Sequence, residues 1–508
     1  MPRRPLLVLA SIAAAAVFFA FILIPATPAY RGLHDVLPSK WGSSNTDRKV
    51  TPQRPAIVYS AEDLAEADRH ALKALKLGGP FEYRRRCIDV RKAKAVKRTK
   101  LERVERGLFE VPASKGLTTN DPLPPCQETL KVDVPYFDER AEVDTSELFL
   151  GVATKLSRAN DSVTAWARWL AETGSPLLVL LVDQANLTAK AEEIEAVRAK
   201  AEAHGIEMLF EPYTGNPKDS EGLKNFALAE AFVKHQRPTT RWYGLVDDDT
   251  FFTSLPTALY QLQALDPAEE YYVGELTEGF YRIGLQEGFK AWGGAGFFIS
   301  PPLMHKLAAN SERCNPLDTG FGDILWRDCI LEVTSPTVQL TRLPGLNQID
   351  LWGDISGFYE SGLVPLLTVH HWKSWHVFNI PLSHTVADIS GPEAWMQRYL
   401  FSEDNTVMTN GFSIVSYPNG LPDLNLTELT FVENVGVTKT PDRMAFHHSV
   451  IGMTRPALQQ GRYKFSWGFQ HSSYDLRDGS VRQFYVKRKS EGVPGSVDSV
   501  IEVDWRRA

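Results

Sequence analysis

The stretch Trp242-Tyr243-Gly244-Leu245-Val246-Asp247-Asp248-Asp249-Thr250-Phe251-Phe252 is an apolar run of strand character that ends in three consecutive carboxylates and returns at once to apolar residues. Three acids in one turn repel one another, and a cation is expected beside them. Along an extended chain alternate side chains share a face, so Asp247 and Asp249 are expected to point into one site and Asp248 away from it. Two hard oxygen donors suit Mg²⁺ or Mn²⁺, ions that keep positions open for substrate phosphate oxygens. A solvated acidic turn closing a strand is the competing reading.

The residues around this turn alternate between apolar strands and helices. Leu148 to Ala153 reads as a buried strand, and Asp161 as the cap of a helix carrying Val163, Trp166, Trp169 and Leu170 on one face. Leu177 to Val182 is a second strand, Ala189 to His204 a helix stopped by Gly205, and Ile206 to Phe210 a third strand. A helix around Leu223 to Lys234 leads into Trp242. Strands that are apolar throughout and separated by helices predict an α/β fold with a mainly parallel sheet covered on both faces. Ligands of such sheets bind beyond the carboxyl ends of the strands, where Asp247 to Asp249 fall.

Three further clusters follow. Ala291-Trp292-Gly293-Gly294-Ala295-Gly296-Phe297 sets glycines before an aromatic strand, which lets backbone approach a ligand closely. Asp323, in Gly320-Phe321-Gly322-Asp323-Ile324, is either a general base in a glycine-lined turn or the cap of the helix that starts there. Val369-His370-His371-Trp372-Lys373-Ser374-Trp375-His376 offers imidazoles to a cation already held by aspartates, and they favour Mn²⁺ over Mg²⁺; ordinary packing is the alternative.

A net charge of -7 over 508 residues argues against nucleic acid as the main partner. Leu6 to Ile24 is apolar over roughly the length of a bilayer and follows Arg3 and Arg4, which predicts a single-pass anchor with the rest of the chain on the far side of the membrane. A cleaved signal peptide is the rival, with small residues at Ala26 to Ala29. The sequons at Asn160, Asn186 and Asn425 agree with a lumenal body, and four cysteines in an oxidising compartment allow two disulfides. Sequence order suggests Cys87 with Cys126 and Cys314 with Cys329, among three possible pairings. The expected organisation is a tail and anchor over 1–29, a stem and N-terminal region over 30–140, an α/β domain over 141–385 and a β-rich domain of short alternating runs over 386–508.

Together these residues resemble the fringe and core 1 β1,3-galactosyltransferase family in its diverged fungal form, over about Glu147 to His376. Thr154, Lys155 and Arg158 lie in the stretch that looks like the family's opening, where the nucleotide is held; Asp247-Asp248-Asp249 matches its metal-binding turn, and Trp292-Gly293-Gly294 lies in its Gly-Gly-Ala-Gly segment, so that the resemblance also implies Asp247, Asp248, Trp292, Gly293 and Gly294 at the nucleotide sugar and Asp247 and Asp249 at the metal. Asp323 stands where the family has the second acid of a pair and its base, although Gly322 and Arg327 depart from the pattern. Cys329 follows that acid as in the core 1 enzymes, which supports pairing with Cys314. His370-His371 is similar to the family's metal-completing histidine motif, with either residue as the ligand. The resemblance implies a GT-A fold, Mn²⁺ or Mg²⁺, a UDP-sugar donor, a glycan or glycoprotein acceptor, inversion at the anomeric carbon and a type II Golgi membrane protein. A lectin-like or chaperone-like relative without activity and a lumenal metallohydrolase are the alternatives.

Overall fold

The computed structural model describes residues 59–507 apart from 111, 127, 137–142, 185, 280–281, 284–287, 377, 434–450 and 492. The expected anchor and the stem lie outside the described residues. Among the described residues no helix is long and apolar enough to cross a membrane.

The fold is mixed α/β. Seven strands form one sheet: β1 Leu148–Thr154, β2 Leu177–Leu181, β3 Met208–Pro212, β4 Trp242–Leu245, β5 Tyr272–Gly274, β6 Phe297–Ile299 and β7 Leu340–Arg342. They lie in the order β7-β5-β6-β4-β1-β2-β3; β6 runs against both neighbours and the other pairs are parallel. Parallel neighbours need crossovers, and the helices Leu156–Leu170 and Ala191–Ala203 supply them between β1 and β2 and between β2 and β3. Every residue of β2 is buried, as its unbroken apolar sequence requires when both faces are covered. The first crossover helix starts at Leu156, with Lys155 in the cap position, and not at Asp161. Leu156 and Ala159 extend its buried stripe back to the end of β1, which leaves Asp161 exposed within the helix.

The second sheet brings together strands from both ends of the described residues. Its order is Glu102–Val104, Arg398–Phe401, Thr406–Thr409, Ser413–Ser416, Phe465–Tyr474, Val481–Lys487, Asp498–Arg507, Phe81–Ala93 and Ser114–Leu117, with Thr129–Pro135 also pairing with Phe81–Ala93. Phe81–Ala93 runs parallel to Asp498–Arg507 from Phe81 opposite Asp498 to Val90 opposite Arg507. Strands from the expected N-terminal region therefore share a sheet with the expected β-rich residues, a pairing across hundreds of residues that leaves no local periodic signal. Residues Arg54–Ala508 form one compact unit. A continuous apolar core runs from Val152, Trp169 and Phe252 on the side of the first sheet to Tyr485, Ile501 and Trp505 in the second. Disulfides join Cys87 to Cys126 and Cys314 to Cys329.

Candidate active site

Strand β4 ends at Leu245, the chain turns through the three aspartates, and Phe251–Phe252 then pairs antiparallel with Thr368–Val369. That short ladder carries His370 to the acid turn. His370 Nε2 lies 3.0 Å from Asp249 Oδ1 and 3.6 Å from Asp247 Oδ2. The other nitrogen, Nδ1, is 3.2 Å from the Gln348 carbonyl oxygen. With Nδ1 donating its proton to that carbonyl, Nε2 is the nitrogen at which a cation would replace a proton. The ring reaches this position because residue 294 is glycine: a Cβ there would stand 2.0 Å from His370 Cε1.

Asp248 points the opposite way, as the alternation predicts. It accepts from Thr154 Oγ1 at 2.5 Å and from Arg158 Nη2 at 2.6 Å. Thr154 closes β1, while Lys155 and Arg158 stand exposed at the start of the next helix. Lys373 Nζ donates to the Asp248 carbonyl at 3.1 Å and to Ser162 Oγ at 2.8 Å.

His371 pairs with a different acid while staying beside the turn. Its Nε2 is 3.1 Å from Asp350 Oδ1, and Asp350 is fully buried and accepts from Thr277 Oγ1 at 2.8 Å. The backbone of His371 has φ +60, an uncommon conformation for a residue with a side chain. Ligand atoms of Asp249, His370 and His371 all lie within 4.8 Å of one another. Asp247 stands at the rim with 47% of its side-chain surface exposed. Of the two histidines, His370 is the one turned toward both carboxylates.

Charge at the turn follows from this packing. Desolvation over the packed half of its surface disfavours the ionised form of Asp247 and, with Asp249 and Asp248 as like charges and His370 opposing, raises its carboxyl above the usual carboxylate range. Burial would raise Asp249 too, but the ion pair and hydrogen bond with His370 hold it well below the usual carboxylate range. Burial alone would lower His370, yet Asp249 and Asp247 raise it to about 9. Carboxylates with one imidazole form a donor set that suits Mn²⁺.

Asp323 lies across the glycine turn. A Cβ on Gly293 would meet Asp323 Cβ at 3.8 Å, and the Gly293 N–H faces Asp323 Oδ2 at 3.5 Å. Consecutive residues of one turn thus touch Asp323 and His370. The helix Gly322–Thr334 is preceded by Phe321 in the cap position, so Asp323 sits inside the first turn and is not the cap; a carboxylate there is favoured by the helix dipole. Lys290, fully buried, forms an ion pair with Asp323, and its Nζ lies 3.5 Å from the centre of the Trp292 ring. The Cys314–Cys329 disulfide fastens this helix to the preceding segment.

Lys290, Gln348 and Asp350 escape a reading of the sequence. Each is a polar residue in or beside an apolar stretch, and its partner lies elsewhere along the chain: Asp323 for Lys290, Ala295 N–H for Gln348 Oε1 at 2.9 Å, His371 for Asp350. Among the sequons, Asn160 lies within a helix with Oδ1 3.2 Å from Lys200 Nζ, and Ser162 is buried; Asn186 and Asn425 are exposed.

A family described as "Protein of unknown function, DUF604" matches residues 287–386, the stretch that holds Lys290, the glycine turn, Asp323 and both histidines. The chain is 28% identical to the human protein named Beta-1,3-glucosyltransferase over 152 residues, 30% of this chain and 28% of that protein. It is 26% identical to the mouse protein of the same name over 156 residues, 30% of this chain and 29% of that one. The chain thus matches less than a third of the length of these relatives. Among solved structures, the mannosyltransferase PcManGT from Pyrobaculum calidifontis in complex with GDP-Man and Mn²⁺ aligns over 40% of this chain and 55% of its own, with 15% identity and a TM-score of 0.27. Mouse xyloside xylosyltransferase 1 in its apo form aligns over 44% and 97%, with 11% identity and a TM-score of 0.26.

Proposed function

We propose that this chain is a metal-dependent glycosyltransferase of GT-A type that moves a hexose or N-acetylhexosamine from a UDP-sugar to a hydroxyl of a glycan or glycoprotein, with inversion and in β1,3 linkage. The observation that carries the reading is the convergence of Asp247, Asp249 and His370 beyond the carboxyl end of β4, with Asp323 one glycine turn away. The partial similarity to proteins named as β-1,3-glucosyltransferases supports the same class.

Asp249, His370 and Asp247 would hold Mn²⁺ or Mg²⁺, and the ion, when bound, neutralises the charge of the departing diphosphate. Thr154, Lys155 and Arg158 at the end of β1 would hold the nucleotide, with Asp248 fixing Thr154 and Arg158 in place. Gly294 leaves room for the His370 ring, and Gly293 sets the turn against Asp323. Asp323 accepts the proton of the acceptor hydroxyl as that oxygen bonds to the anomeric carbon, and the bond to UDP breaks on the opposite face. One base therefore suffices and no covalent enzyme intermediate forms. Lys290 fixes the carboxylate from behind. The apolar run Leu6 to Ile24 would anchor the protein in the Golgi membrane with this site in the lumen.

The test is a donor screen with Mn²⁺, comparing UDP-glucose, UDP-galactose and UDP-N-acetylglucosamine with and without glycan acceptors. Transfer that stops on chelation is expected. Metal-dependent UDP binding without transfer from any donor would instead favour a lectin-like relative, and hydrolysis of a phosphoester without a nucleotide donor would favour a hydrolase.

A further inference from the structure

A ladder of flat rings continues the candidate site outward. His370 and His371 have ring centres 3.8 Å apart. His371 stacks on Trp375 at 3.8 Å with 10° between the planes, and Trp375 stacks on Trp352 at 4.7 Å with 24°. Trp352 is the last rung. It keeps 39% of its surface exposed although Trp375 stacks against one face.

The last rung is held in place. Trp352 lies in the strand Leu351–Gly353, opposite Val432 of Phe431–Glu433, with Leu351 buried on the other side. Behind it the guanidinium of Arg282 lies 5.8 Å from the Trp375 ring and 5.7 Å from the Trp292 ring. Backbone pairing at an outward strand position does not require tryptophan, and an exposed indole face gains nothing from water. More apolar surface stands near the base in sequence: Phe321, two residues before Asp323, is 60% exposed, and Phe289, next to Lys290, is 70% exposed.

We propose that Trp352 is the acceptor platform, its open face carrying a pyranose ring of the acceptor glycan. A pyranose turns polarised C–H groups to one face, and these meet the negative face of an indole. A fixed ring loses little conformational freedom when it binds, which suits a positioning surface. The ladder's contact with His371 ties the platform to the metal-binding cluster. The inference rests on the transferase reading above and adds to it the residue that selects the acceptor.

The test is Trp352→Ala and Trp352→Phe in the full chain, with near-ultraviolet circular dichroism to confirm folding. Loss of one aromatic stacking partner predicts a rise of about ten-fold in KM for the glycan acceptor in the alanine variant, with about three-fold or less in the phenylalanine variant. The dissociation constant of the UDP-sugar, measured by titration, should move less than the acceptor KM in both. Equal changes in donor and acceptor parameters, or none in either, would overturn the platform and leave the transferase reading standing. If the wild type transfers no sugar, the reading fails by itself, and tryptophan fluorescence titrated with methyl galactoside and N-acetyllactosamine decides the platform. Saturable quenching lost in Trp352→Ala supports it, and quenching that is absent, or unchanged by the substitution, overturns it.

Discussion

Gly294→Ala offers the sharpest separation between this arrangement and a merely acidic turn. An added Cβ would stand 2.0 Å from His370 Cε1 and 2.3 Å from each ring nitrogen, far inside any tolerated contact. The imidazole must withdraw by more than an ångström. It is held by the Gln348 carbonyl at 3.2 Å and by Asp249 at 3.0 Å, so the same movement breaks both pairings. Overpacking of this kind costs about 1–3 kcal/mol of stability. The larger effect falls on the metal: losing an outer partner of a ligand costs about 10–100-fold in affinity, so displacing the ligand itself should cost roughly 100-fold or more. The adjacent glycine is the control. A Cβ at Gly293 meets only Asp323 Cβ, at 3.8 Å, an ordinary contact, and Gly293→Ala should keep Mn²⁺ affinity within about two-fold. Manganese titration followed by paramagnetic resonance in the presence of UDP, with thermal melting of both variants, reads the two outcomes. If Gly294→Ala binds Mn²⁺ as the wild type does, then His370 is not a ligand and the reasoning fails.

Asp249→Ala should abolish metal-dependent UDP binding, whereas Asp323→Asn should keep binding and lose roughly 10²–10⁴ in transfer rate; normal turnover in the second variant removes the assigned base. Glu278 is 1% exposed and accepts from the Ile349 N–H at 2.6 Å. Burial, with smaller help from Asp350 and Glu275 and against backbone N–H groups, pushes its carboxyl up to about 8. The folded state therefore holds this proton more tightly than the unfolded chain, so the contribution is complete below the unfolded value of 4.5 and lost as pH rises through about 8. Calorimetric melting temperatures should fall between pH 5 and 9 less steeply for Glu278→Gln than for the wild type, and parallel slopes would contradict the assignment. Cys314 and Cys329 close a loop with a sequence separation of 15. Replacing both by serine should cost about 3 kcal/mol in denaturant unfolding, and an unchanged midpoint would show that the bridge does not constrain the chain.

How far the sequence carried this reading depends on whether each signal is local. Strands β1 and β2 and the strand before the aspartates are legible because a strand buried on both faces shows an unbroken apolar run. The opposed directions of Asp247 and Asp248 are legible because pleating has a period of two. The start of the helix Leu156–Leu170 is not: Asp161 offers a good capping side chain, but burial of Leu156 and Ala159 decides where the helix begins. Nor is the pairing of Phe81–Ala93 with Asp498–Arg507, whose register is set by a partner at the far end of the chain.

The site divides in the same way. Asp249, His370 and Asp323 are chemical residue types in recognisable stretches, but the choice between His370 and His371 rests on the ladder of Phe251–Phe252 with Thr368–Val369 and on Gln348 and Asp350, which leave one imidazole paired with Asp249 and Asp247 and the other with Asp350. Lys290 gains its meaning only from the carboxylate across the turn. A substitution that leaves every motif letter intact can therefore still unmake this centre. Gln348 illustrates the point: its side chain accepts from Ala295 N–H in the glycine turn while its backbone carbonyl faces His370, so one residue couples the turn that reaches Asp323 to the ring that reaches Asp249.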